Sequence, residues 1–322
     1  VETYLEQGDV SKAISAVEQL KKNYMSHPDY ANQMEKMAGI LIDRNQPAVA
    51  QEVSDTLLQT FPEHERAIWF LHYKARSEIW MKDPNLSEST INLMRKGYAT
   101  HPDYADAMSW TAYNYRTSGD YPKGIALYQE VIDLNPPAKV QVRCLAGIAQ
   151  AYARMGNDTQ MQKTMDTLIS KYKVSQSDGV AFYVFGIGED YYYMAQDAAK
   201  VGDPNNAQSN YKKALAVWNQ FEEAVPTHNS PQYVFGRGVV CQELQDYQDA
   251  IRHLSRLVTK WPAYEKSDKA CLLLAQCYEY MAKKGLLTEE QKQVQPSQFY
   301  QMVIQKYPLS EVAEISKSKL NQ

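Results

Sequence analysis

The stretch that decides the fold is Gly119-Asp120-Tyr121-Pro122-Lys123-Gly124-Ile125, inside the segment 105–136. Gly119 suits the left-handed residue that ends one helix, Asp120 can accept hydrogen bonds from the exposed amides that open the next, and Pro122 is tolerated in a first helical turn. Upstream, Met108, Ala112 and Tyr115 recur at helical spacing, and downstream Tyr121, Gly124 or Ile125, Tyr128 and Ile132 mark one apolar face. Two antiparallel helices therefore meet across a tight turn. Ala112 and Gly124 fall where the backbones approach, and Tyr115 and Tyr128 fill the space beyond.

The other segments read as variants of this unit. Gly8-Asp9 precedes Ala13, Ile14 and Val17. Ala38 and Leu41 lead into Asn45-Gln46-Pro47, and Leu145, Ala149 and Tyr152 lead into Gly156-Asn157. Closing prolines recur 34 residues apart from Pro28 to Pro62 and from Pro102 to Pro136, with a step of 40 between Pro62 and Pro102 that predicts an enlarged turn or a longer first helix there. The order large, small, large, Gly-Asp-Tyr, small, large and a closing proline resembles the tetratricopeptide repeat, whose period is 34 residues. The resemblance implies an all-α fold, a right-handed superhelical solenoid of helical hairpins. On that basis residues 1–308 are an array of about eight helix pairs, the first one truncated, and residues 309–322 a C-terminal capping helix.

One unit, 178–226, is expected to be extended. Tyr183-Val184-Phe185-Gly186-Ile187-Gly188 and Tyr233-Val234-Phe235-Gly236-Arg237-Gly238 are near-identical, yet the turn Gly202-Asp203 follows Gly188 by 14 residues whereas Gln245-Asp246 follows Gly238 by 7. Seven extra residues on each arm are two helical turns, roughly 10 Å, which predicts a projecting hairpin. The two Gly-x-Gly runs lack the preceding strand and third glycine of a dinucleotide loop, so they read as close-packing positions. Near the end, Gly285 to Gln295 reads as a long connection, with a helix resuming at Pro296.

A chain of 322 residues can be one repeat array, because each unit packs only on its neighbours. A formal charge of -4 with scattered basic pairs argues against a nucleic-acid partner, which needs a clustered basic surface. No run of eighteen apolar residues occurs, so no transmembrane segment is expected. The 24 tyrosines against 7 phenylalanines suit a thin two-layer core in which a ring is buried and its hydroxyl reaches water. Val1 opens the sequence as though a repeat were entered partway through its first helix, so a preceding segment is expected.

No chemistry stands out. Cys144, Cys241, Cys271 and Cys277 lack zinc spacing and read as small buried hydrophobes. His27, His64, His101 and His228 sit at unit junctions, His64-Glu65 lacks the second histidine of a zinc protease, and no nucleophile elbow or phosphate-loop lysine is present. No catalytic residue, metal or cofactor is expected. The resemblance implies a non-enzymatic protein-protein interaction scaffold whose first helices line a concave groove. Two alternatives stand beside it: a glycan or small-ligand groove, and a regulatory or scaffolding part of an enzyme or complex whose remainder lies upstream.

If the geometry of the family holds, the stripe beside the core stripe of each first helix faces the groove and a partner protein or peptide. Its candidate residues are Tyr113, Arg116, Phe185, Glu189, Tyr192, Phe235 and Gln242, with Phe185 and Phe235 as equivalent rings. A clamp for an acidic C-terminus would need a lysine and an asparagine one turn apart on a first helix, and this stripe offers none. Homo-oligomerisation stays open. Tyr307-Pro308-Leu309-Ser310 resembles repeats of bacterial envelope tetratricopeptide proteins, which favours the bacterial periplasm or cell envelope over the cytoplasm.

Overall fold

The computed structural model describes residues 1–226, 228 and 230–321, with Gln293 described by its backbone alone. Gln322, the last residue of the expected closing helix, lies outside them. The elements in order are α1 (Glu2–Glu6), α2 (Val10–Tyr24), α3 (Tyr30–Asp43), α4 (Pro47–Thr60), α5 (Ala67–Trp80), α6 (Pro84–Tyr98), α7 (Tyr104–Thr117), α8 (Tyr121–Asp133) and α9 (Ala138–Arg154). They continue as α10 (Asp158–Tyr172), α11 (Ser177–Lys200), α12 (Pro204–Ala224), α13 (Pro231–Glu243), α14 (Tyr247–Lys260), α15 (Ser267–Lys283), α16 (Glu289–Lys306) and α17 (Glu311–Leu320). The fold is all-α, and no strand occurs among the described residues.

One turn closes every hairpin. Gly8, Asn45, Lys82, Gly119, Gly156, Gly202, Gln245 and Gly285 have φ between 58° and 92°. The amide after each reaches back five residues: Asp120 to the Tyr115 carbonyl at 2.9 Å, Asp83 to Glu78 at 3.0 Å, Asp246 to Cys241 at 2.8 Å. This is the Schellman closure, which satisfies carbonyls orphaned at the helix end. Asp9, Asp83, Asp120, Asp203 and Asp246 then accept the opening amides of the following helix.

These turns correct the period. The left-handed residues at 8, 45, 82, 119 and 156 are each 37 residues apart, not 34. The prolines mislead because they sit at different depths in the linkers: Pro28, Pro62, Pro102 and Pro136 lie four, two, four and three residues past the ends of α2, α4, α6 and α8. The proline step of 40 therefore hides neither a larger turn nor a longer helix, since α3, α5 and α7 each have 14 residues.

The linkers share a second device. The Nδ1 atoms of His27, His64 and His101 accept the backbone amides of Asp29, Arg66 and Asp103 at 3.2, 3.1 and 3.1 Å. Each histidine thus braces the bend before the next first helix by holding the amide of the residue that precedes it. These residues too are 37 apart.

The chain divides into two compact units, Val1–Thr164 and Met165–Gln322. In the first, α3 packs on α4, α4 on α5, α5 on α6, α7 on α8 and α8 on α9, and the first helices α3, α5, α7 and α9 also touch in succession, a contact that the second helices do not match. Spacing is therefore tighter on the first-helix side. Small residues permit it: a Cβ on Gly39 of α3 would stand 3.2 Å from the Tyr73 ring of α5.

In the second unit α11 and α12 form the longest hairpin, with 24 and 21 residues against 13 and 14 in α13 and α14. At 1.5 Å per residue α11 is roughly 36 Å long and α13 roughly 20 Å. The connection expected from Gly285 to Gln295 is much shorter. Thr288 accepts from the Gln291 amide while the Gln291 side chain returns to Thr288, a capping box that starts α16 two turns before Pro296. Pro296 lies inside the helix, where its missing amide leaves the Lys292 carbonyl without a helical partner. Residues 309–310 are the lead-in to α17, with Ser310 accepting from the Val312 amide.

Candidate functional site

The two near-identical hexapeptides lie on α11 and α13, and α12 drives Trp218 between them. Trp218 is 2% exposed, and its Nε1 donates to the Phe185 carbonyl at 3.1 Å. Two glycines make the slot: a Cβ on Gly188 would stand 2.1 Å from Trp218 Nε1, and one on Gly236 would stand 3.0 Å from Cη2. Gly238 serves a different neighbour, Leu254, at 2.6 Å from such a Cβ. The glycines are thus close-packing positions, and the phosphate-loop alternative has no strand to stand on. Beneath them Arg237, 1% exposed, donates to the Glu222 carboxylate and, at 2.9 Å, to the Trp218 carbonyl.

Phe185 rests one face on this core. Its ring stacks on Trp218 with centroids 5.4 Å apart and planes at 16°, and tilts against Tyr233 at 5.2 Å. Tyr233 is itself anchored, its hydroxyl donating to the Ala181 carbonyl at 2.6 Å. Phe185 nevertheless remains half-buried. Phe235, also half-buried, is held differently: it meets Tyr264 edge-on at 6.5 Å and carries the Lys266 ammonium 5.6 Å from its centroid. The rings are equivalent in sequence and unlike in setting, because Trp218 has no counterpart behind Phe235.

Glu189, one turn beyond Phe185, is half-buried, and loss of water pushes its carboxyl above the usual range against the opposing pull of Lys266. Phe185, Glu189, Phe235 and Lys266 thus belong to one patch across α11, α13 and the start of α15. Gln242 lies further along α13 and donates to Gln276 of α15 at 3.4 Å. Tyr192 accepts from Gln196 at 2.8 Å and packs against Tyr193 and Tyr211. Burial raises its hydroxyl pKa, with Glu243 adding to the shift.

Tyr113 and Arg116 belong to the first unit, where they pair with each other: the guanidinium lies 5.0 Å from the exposed Tyr113 ring. Around them the first helices are joined by charge and indole. Arg66 meets Glu35 at 2.5 Å, Trp69 Nε1 donates to Asp103 at 2.9 Å, and Arg143 binds Asp106 while lying 4.5 Å over Trp110.

A pocket that the sequence did not single out opens beside Phe185. It measures about 330 Å³ and is lined by Asp178, Phe182, Phe185, Glu189, Gln232 and Tyr233 among others. Phe182 is 73% exposed. The signal is present in the sequence, since Phe182, Phe185 and Glu189 fall on one helical stripe, but Phe182 lies just outside the hexapeptide shared by α11 and α13.

The four cysteines and two of the six histidines are shielded from water. Burial pushes the thiols of Cys144, Cys241 and Cys277 up to about 12 and that of Cys271 to about 11, and all four cysteines are free and buried. Burial likewise holds His72 down to about 3 and His253 to about 4, His72 lying 3.0 Å from the Thr111 hydroxyl. No three His, Cys, Asp or Glu side chains among the described residues are arranged to hold a metal, and no helix among them is long and apolar enough to cross a membrane.

Hairpins closed by one recurring turn and stacked through their first helices define a helical-repeat protein. Residues 192–265, which run from α11 into the linker before α15, match the model of the tetratricopeptide repeat family. Over residues 192–265 the chain carries tetratricopeptide repeats, the family that the Gly119-Asp120 unit resembles. Three solved structures are similar to it at low identity. For pilF of Pseudomonas aeruginosa the identity is 10% over 90% of this chain and 97% of that one, with a TM-score of 0.35. For a tetratricopeptide repeat protein from Parabacteroides merdae it is 13% over 84% and 94%, with a TM-score of 0.39. For yeast Tom70 it is 16% over 98% of this chain and 60% of that one, with a TM-score of 0.44. No curated protein matches the chain.

Proposed function

We propose that the chain is a non-enzymatic protein-protein interaction scaffold that holds a segment of a partner on the first-helix face of its second unit. One observation carries this reading: Phe185, Glu189 and Phe235 stand half-open on consecutive first helices beside a pocket whose rim presents the exposed Phe182 ring. Aromatic side chains held rigidly from behind lose little entropy when a partner covers them, which makes them good anchors. Trp218 and Tyr233 supply that support for Phe185.

The glycan alternative asks for a row of open indole or phenol faces. Trp110 is covered by Arg143, Trp69 lies under Arg66 at 5.2 Å, Trp261 lies under Lys260 at 4.9 Å and Trp218 is buried, which leaves Trp80, 43% exposed, as a single open indole and no row of them. This favours a protein segment over a sugar. The same proposal places the chain in the bacterial cell envelope, on the resemblance carried by Tyr307-Pro308-Leu309-Ser310, and fractionation of the native organism checks it directly.

The test is capture of the partner by the full chain followed by affinity measurement. Phe235→Ala is expected to weaken binding by about 2 kcal/mol, in the range of interface hot spots, with little change in melting temperature. A variant that loses several degrees of melting temperature and keeps its partner would show that Phe235 belongs to the core.

A further inference from the structure

The pocket beside Phe185 has a sign. Its lining contains two carboxylates, Asp178 and Glu189, no lysine or arginine, and one imidazole, His228, which burial holds below its ordinary value against the pull of Asp178, so that it is neutral at neutral pH. Lys266 is the cation that Glu189 feels, yet its ammonium sits over the Phe235 ring, and among the described residues Glu189 makes no ion pair. Around the carboxylates stand three rings, Phe182, Phe185 and Tyr233, whose faces carry negative potential. Aromatic faces and acids converging on one cleft, without a cation inside it, are complementary to a positive group with an apolar stem.

We propose that this pocket takes the basic side chain, arginine or lysine, of the bound partner segment, with its charged head at the Glu189 carboxylate and its stem against Phe182 and Phe185. The proposal rests on the reading that a partner segment lies on this face, and names the residue that anchors it. A volume of about 330 Å³ lies at the lower end of ligand clefts and fits a single side chain better than a cofactor. Glu189 supplies a further reason. Its carboxyl has lost water without gaining a cation at contact distance, so an arriving guanidinium or ammonium would supply the missing partner. The sign is opposite to that of a clamp for acidic termini, and so is the expected partner.

The full chain is tested against a displayed library of random heptapeptides, and the retained peptides are titrated by calorimetry. Expected are peptides with an arginine or lysine flanked by apolar residues. Glu189→Gln and Phe182→Ala should each weaken them about tenfold. Phe182 is largely exposed, so its truncation leaves the fold intact. Replacing the peptide's arginine by citrulline should cost the same factor and remove the sensitivity to Glu189→Gln. Retained peptides that need Phe235 but carry no basic residue, or basic peptides indifferent to Glu189→Gln, would overturn this proposal and leave the scaffold reading standing. If no peptide is retained, both fall.

Discussion

Gly188→Ala probes the slot that organises the second unit. The added Cβ would stand 2.1 Å from Trp218 Nε1, 2.5 Å from Cε2 and 2.7 Å from Cδ1, so the indole has to recede by roughly 1.3 Å to reach ordinary contact. Its retreat is hindered on the α13 side, where even a Cβ on Gly236 would stand only 3.0 Å from Cη2. Moving it also breaks the hydrogen bond to the Phe185 carbonyl, now 3.1 Å long, and strands a buried N–H. Overpacking costs about 1–3 kcal/mol and an unsatisfied buried donor about 1–3 kcal/mol, which together give about 2–6 kcal/mol. Urea denaturation followed by circular dichroism would read this as an earlier transition. Gly188→Ala combined with Trp218→Leu should recover part of the loss, because the smaller side chain vacates the slot. A single variant within about 0.5 kcal/mol of the parent, a change typical of neutral surface sites, would refute the packing argument.

Three other outcomes are expected. His72 is neutral and buried, so below its ordinary value of 6.5 the unfolded chain takes up a proton that the folded chain refuses until about pH 3. Its contribution is complete above pH 7 and falls by about 2 kcal/mol between pH 6.5 and 5, and His72→Asn should flatten the stability profile in that window, whereas parallel profiles would exclude the group. The four buried thiols should ignore a disulfide reagent at pH 8 in the folded protein and react fully in urea; prompt reaction without denaturant would contradict their burial. Lys82 holds φ at 58° with a side chain that dislikes it, so Lys82→Gly should stabilise by about 0.5–1 kcal/mol and Gly119→Ala should destabilise by about 1 kcal/mol, both read from denaturation midpoints.

The hairpin was plain in the sequence because its signals are local. Gly119 needs the left-handed region, Asp120 caps, and both act within a few residues. The period was misjudged because proline marks a linker without fixing its register, while Asn45, Lys82 and Gln245 adopt the left-handed turn without being glycine. Pro296 misled for a related reason: the Thr288 capping box had already set the helix, and a nucleated helix tolerates one missing bond. The candidate site was half visible. Phe185, Glu189 and Phe235 follow from helical spacing, but what stands behind each ring depends on Trp218, 33 residues from Phe185. No spacing rule reaches that far. The linker histidines are legible in the sequence as junction residues and not as acceptors, since an imidazole's partner is decided by the bend of the linker.

The constant interval between left-handed residues has an evolutionary consequence. Excising residues 46–82 would join Asn45 to Asp83, and inserting a second copy would join Lys82 to Gln46; either way a left-handed residue still precedes a residue that opens a helix. Gene duplication or unequal crossing-over in whole periods therefore leaves every bend of the backbone in frame, and only the side chains at the new seam have to adapt. The first unit can lengthen or shorten like a chain of interchangeable links, while Trp218, wedged between glycines on two different helices, fixes the stretch around it as a piece that cannot be cut.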